Sequence, residues 1–119
     1  MAGVVKEICS LLKESDVPVS YDERHDTCKV RKGDISIASD GKDLIVKNKK
    51  DTLFVVPDVK DPVKGIDLAR GESLVHVPSS VGTLVISAPS TGSKYVRVAL
   101  ELDLDRDGDV DGGAYRTFW

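Results

Sequence analysis

From Val17 onward, the apolar residues fall into short runs with a period of two. Glycine, proline, asparagine or aspartate breaks the runs again and again. Alternation puts every second side chain on one face of a strand, and turn signals at about 8–12-residue spacing are those of antiparallel sandwiches and barrels. Val17, Val19 and Tyr21 alternate with Pro18 and Ser20, and Ile35 and Ile37 alternate with Ser36 and Ala38. Ser39-Asp40-Gly41-Lys42 is a hairpin signal, because glycine supplies the positive φ of a tight turn. Strands are expected at 17–21, 27–31, 35–38, 44–46, 52–56, 74–77, 83–88, 95–104 and 114–119. Residues 57–72 read as a long irregular crossover, of a length that is often functional. Helices that would connect parallel strands are missing from the pattern.

Before this β-rich body stands one helix, expected over residues 3–15. Val4, Val5, Ile8, Cys9, Leu11 and Leu12 recur at spacings of three and four, and Pro18 prevents continuation. The predicted fold is therefore mostly β: a compact antiparallel β-sandwich or barrel with one N-terminal α-helix. A length of 119 residues makes it a single domain, 1–119. Aromatic residues are only 5% of the chain, so valine, isoleucine and leucine must fill the core. The helix is expected to bury Val5, Ile8 and Leu12 against Val55, Val85 and Val98.

Charge excludes more than it suggests. The net charge is −3, without the basic excess that binding to a phosphate backbone requires, so nucleic acid is not an expected partner. No apolar run is long enough to span a bilayer. The written N-terminus has no signal-peptide pattern, which favours a cytoplasmic or virion-associated location. Cys9 and Cys28 could pair in an oxidised chain, but one isolated pair is not a disulfide framework, and Cys9 on the apolar helix face reads first as a small buried thiol.

The one constellation with chemistry in it is the segment 101–113. Asp103, Asp105, Asp107, Asp109 and Asp111 occupy every second position, and Gly108 interrupts them. On a straight strand these carboxylates would repel; around a hard cation they would coordinate, since Ca²⁺ takes about six to eight oxygens. The run resembles the D-x-D-x-D-G calcium loop of EF-hands, dockerins and thrombospondin-type repeats. The resemblance covers about ten residues. It implies carboxylate ligands at Asp103, Asp105 and Asp107, the turn glycine at Gly108, a backbone carbonyl ligand at Asp109, and a water-bridged position at Asp111. Ala114 stands where the closing bidentate glutamate should be, and the preceding residues read as strand, so an EF-hand is not expected. The competing reading is a hairpin that turns at Asp107-Gly108 or Gly112-Gly113, with its carboxylates splayed outward.

Three functions follow as expectations. The first is a non-enzymatic binding or assembly module, or a structural component of a larger particle. It would act through protein partners or self-association, with Tyr115, Phe118 and Trp119 as contact residues. The second is a calcium-stabilised surface module using the aspartate loop, with Ca²⁺ as the only cofactor. The third is a small enzyme centred on His25 or His76 with carboxylates from 57–72; a Cys28–histidine pair is its least supported form.

Overall fold

A computed structural model describes residues 3–67, 69, 71–89 and 95–119. Helix α1 spans Val4–Glu14 and buries Val4, Val5, Ile8, Cys9 and Leu12, the stripe the spacing requires. It stops where Asp16 adopts a left-handed φ of 59°. There the amide of Val17 donates to the carbonyl of Leu12, and that of Asp16 to Lys13. This reversal satisfies the last helical carbonyls and turns the chain toward the first strand.

Among the described residues ten strands follow: β1 (Val19–Asp22), β2 (Thr27–Val30), β3 (Ile35–Ser39), β4 (Leu44–Asn48), β5 (Asp51–Val56), β6 (Val63–Asp67), β7 (Glu72–Pro78), β8 (Gly82–Pro89), β9 (Val96–Leu102) and β10 (Gly112–Phe118). They form two five-stranded antiparallel sheets, ordered β1-β2-β3-β4-β5 and β10-β9-β8-β7-β6. Each sheet is a meander of sequential hairpins, so the architecture is a sandwich of two ribbons with one helix. Between them lies a core of Val30, Ile35, Ile37, Leu44 and Val46 from the first sheet and Val75, Val77, Leu84, Ile86, Val96 and Val98 from the second. Helix α1 packs on β1, β2 and β3 of the first sheet and on β7 of the second, bridging the two. Among the described residues no helix is long and apolar enough to cross a membrane.

Several expectations need correction. The stretch 57–72 is not one irregular crossover, because β6 lies inside it and pairs with β7 from Val63↔His76 to Asp67↔Glu72. It is an edge strand with Val63 exposed, so its alternation carries little burial signal. Val55 is not under the helix: it pairs with Ile45 and is 52% exposed. A bulge between Val46 and Lys47 shifts the phase of β5 at this point. Val85 stands opposite Ala99 and His76 on the outward face of the second sheet, while Val98 does enter the core. Cys9 is not a thiol. It forms a disulfide with Cys28, the Cα atoms 5.5 Å apart, tying α1 to β2. A thiol nucleophile at Cys28 is thereby ruled out.

Candidate metal centre

Strands β9 and β10 are joined by residues 103–111, and two glycines define the base of this loop. Gly82 and Gly113 flank β9 from opposite sides, both with φ of 150°. A Cβ at Gly82 would lie 2.0 Å from the Glu101 carbonyl oxygen, and one at Gly113 would lie 2.2 Å from that of Leu100. Only glycine lets both neighbours approach so closely. The loop is then tied at each end: the Asp103 amide donates to Val81 and the Asp111 amide to Leu102, at 3.0 and 2.8 Å. Gly112 and Gly113 belong to β10 and are not the turn of a tight hairpin; the sharp bend comes at Arg106 and Gly108, with φ of 59° and 91°.

Within the loop each aspartate that faces inward uses one oxygen to hold the backbone. Asp103 Oδ2 accepts from the Gly108 amide at 3.0 Å. Asp105 Oδ1 accepts from the Asp107 amide at 3.3 Å, and Asp107 Oδ1 from the Asp109 amide at 2.8 Å. Asp111 Oδ2 accepts from the amides of Leu104 and Asp105, at 2.8 and 3.3 Å. The other oxygen of each has no hydrogen-bond donor among the described residues. Asp103 Oδ1 is in addition shut off from solvent with no partner, an unfavourable state for a carboxylate oxygen.

Asp103, Asp105, Asp107 and Asp111 each offer one oxygen, all within 4.8 Å of one another. Ca²⁺–oxygen distances of about 2.3–2.6 Å put opposite ligands about 4.6–5.2 Å apart, whereas Mg²⁺ at about 2.0–2.1 Å holds them near 4.1 Å. A spread of up to 4.8 Å is compatible with the larger ion. Crowding also shows in the acidity of Asp105. Loss of surrounding water, then the neighbouring Asp107 and Asp111 carboxylates and the charge of Asp103, push its carboxyl above the ordinary value.

The carboxylate of Asp109 lies outside this cluster, and its amide supports Asp107. Ala114 is in β10 opposite Leu100, so position 114 supplies no closing carboxylate.

The remaining candidates are dispersed. His25 sits in the β1–β2 turn, its Nδ1 2.9 Å from Asp22 Oδ2. That hydrogen bond is the main reason the Asp22 carboxyl lies below its ordinary value. His76 is on β7 in the other sheet, opposite Val63 and Val85. Of the three residues expected to make contacts, Tyr115 and Trp119 are exposed at 68% and 80%, while Phe118 packs against the core.

One arrangement had no signal in the sequence. Glu72 on β7 is only 2% exposed, yet carries a carboxylate. Its Oε2 accepts from the Tyr95 hydroxyl at 2.6 Å and from Arg97 at 3.4 Å. The Arg97 guanidinium lies 5.5 Å from the Tyr95 ring centroid and 5.9 Å from that of Tyr115, and Tyr95 meets Trp119 at 5.1 Å. Beside it a groove of about 470 Å³ runs over Arg97, Ala99, Glu101, Gly113 and Tyr115. Partners from different strands, more than twenty residues apart, leave no local spacing to find.

The chain matches no known protein-family model, and no curated protein or solved structure is detectably similar to it.

Proposed function

We propose that this chain is a calcium-binding contact module, with Ca²⁺ held by Asp103, Asp105, Asp107 and Asp111 and with the adjoining β9–β10 hairpin offered to a protein partner. The observation that supports the cation is the convergence of four carboxylates on one loop: each commits an oxygen to a loop amide, and each brings an oxygen within 4.8 Å of the others. Bringing four carboxylates together costs electrostatic repulsion, and a divalent cation turns that cost into attraction. The Asp109 carbonyl and water would complete the coordination.

The contact role is supported by what the loop is attached to. Strand β10 is the outer strand of its sheet, with Gly112 to Arg116 exposed, Tyr115 beside Arg97, and the exposed Trp119 against Tyr95. Exposed aromatic rings beside an arginine are the commonest anchors of protein interfaces. A cation fixing the loop would fix the start of β10.

Calorimetric titration of the chelator-treated protein with CaCl₂ tests the cation. Without a closing glutamate the expected dissociation constant is on the order of 10⁻⁴ to 10⁻³ M. MgCl₂ should bind more weakly, and Asp107→Asn should remove most of the heat. If millimolar Ca²⁺ gives neither heat nor a higher melting temperature, the cation reading fails.

A further inference from the structure

A strand at the edge of a sheet carries a row of backbone groups ready to pair, and proteins normally blunt such edges. Three of the four edges here are blunted. Strand β1 is four residues long, follows Pro18 and lies against α1. Strand β5 is broken in register by the bulge opposite Val46 and Lys47. Strand β6 is five residues long, preceded by Pro62, and carries Lys64. Strand β10 has none of these defences against extension: it is seven residues long, contains neither proline nor lysine, and pairs with β9 in unbroken register from Gly112↔Leu102 to Phe118↔Val96.

We infer that β10 is a homodimer edge, pairing antiparallel with β10 of a second copy so that the two five-stranded sheets run into one. The inference rests on the contact half of the proposed function and is independent of the cation half. Two-fold symmetry across an antiparallel pair keeps core face with core face, so the axis must pass through a residue that faces itself. Ala114 is that residue. Centring on Ala114 sets Tyr115 opposite the partner's Gly113, and Arg116 opposite the partner's Gly112. Both large side chains thus meet a glycine on the same face of the sheet, and the small alanines meet each other.

Charge supports the same register. The segment from Asp103 to Asp111 holds five aspartates against Arg106 alone, a balance of −4. Arg116, five residues past the end of that segment, makes no ion pair among the described residues; its guanidinium lies 5.2 Å from the Phe118 ring centroid. Antiparallel pairing carries each Arg116 to the acidic end of the other strand, next to the partner's Asp111. An arginine on the core-side face of an edge strand deters a neutral or basic strand, so the same charge selects this acidic one.

Sedimentation equilibrium of the full chain, run both with Ca²⁺ and with chelator, tests the inference. The expected mass is twice the 12.9 kDa of one chain. Ala114→Lys and Ala114→Glu each place like charges face to face, and each should sediment as a monomer. An equimolar mixture of the two should restore the dimer, an outcome that misfolding cannot produce. A monomeric wild type, a dimer that survives either substitution, or a mixture that stays monomeric overturns the inference. A monomer that still binds Ca²⁺ removes this pairing and leaves the cation site; a dimer that gives no heat with Ca²⁺ removes the cation site and leaves this pairing.

Discussion

Cys9, in the middle of α1, is bonded to Cys28 in β2, with 5.5 Å between their Cα atoms and a sequence separation of 19. An eleven-residue helix is too short to persist alone in water. Here its apolar stripe and one covalent link hold it on the first sheet. The link closes a loop containing all of β1, so the helix and the first hairpin act as one unit.

Replacing both cysteines by alanine keeps small apolar groups at both sites and removes the crosslink. Closing a loop of this length stabilises by about 3 kcal/mol, largely by restricting the unfolded chain. The double variant, or the wild type in reductant, should unfold at a lower urea midpoint, with an unfolding free energy reduced by about that amount. Ca²⁺ titration of the reduced protein should be unchanged, because the aspartate loop belongs to the second sheet.

Asp105 gives the metal-free protein a distinctive pH response. Its carboxyl is raised in the folded state, so between the ordinary and the raised value the folded chain holds a proton there that the unfolded chain has lost. The stabilisation is full below the ordinary carboxylate value and disappears as pH rises through the raised one. In chelator, Asp105→Asn should therefore melt higher than wild type at neutral pH, with the difference closing in acid. In excess Ca²⁺ the order should reverse, since the substitution deletes a ligand. Melting curves across pH in both conditions would detect the crossing, and parallel curves would count against a cation site.

How much of this was legible from residue order depends on whether the signal was local. The helix stripe from Val4 to Leu12 and the alternation of Ile35 and Ile37 are local, and both elements are where the spacing puts them. The every-second-residue aspartates with Gly108 leave two outcomes open, a hairpin with splayed carboxylates or a bent loop with converging ones; the chain bends at Arg106 and Gly108, and four of the carboxylates come within 4.8 Å of one another. What escaped depends on phase or on packing. Alternation alone places Val55 under the helix, because the bulge at Val46 and Lys47 leaves no mark in the sequence. Strand β6 was hidden by Pro62 before it and Gly65 within it, and as an edge it needs little apolar alternation. The Cys9–Cys28 bond and the Glu72–Arg97 pair require knowing which face of one element meets another.

Gly33 and Phe118 fasten the two sheets together. Gly33, in the β2–β3 turn, has φ of 80°, and a Cβ there would lie 2.5 Å from the Phe118 ring. Its carbonyl accepts a hydrogen bond from the Asn48 side chain, which restricts retreat of the turn. Gly33→Ala should cost about 1–3 kcal/mol from overpacking in addition to the left-handed strain. In a Phe118→Ala background the collision is gone, and only about 1 kcal/mol of backbone strain should remain. Urea denaturation of the four-member cycle would show this non-additivity; additive costs would mean that the turn moves away freely.

Glu72 and Arg97 make the last prediction, because the pair is unequal. Glu72 is buried, while the Arg97 side chain is about a quarter exposed, at 27%. Removing the arginine leaves the carboxylate with the Tyr95 hydroxyl as its one side-chain donor among the described residues, whereas removing the carboxylate charge leaves an arginine that can still reach water and the Thr117 hydroxyl, 3.2 Å from its Nε. Arg97→Met should thus destabilise by about 3 kcal/mol and Glu72→Gln by about 1 kcal/mol, with the double variant closer to Glu72→Gln than to Arg97→Met. The arginine also spans Tyr95 and Tyr115, so Arg97→Met should alter the tyrosine environment on the outer face. Near-ultraviolet circular dichroism would register that change and urea midpoints the stability order. Equal costs for the two single variants would show that the carboxylate reaches solvent without its partner.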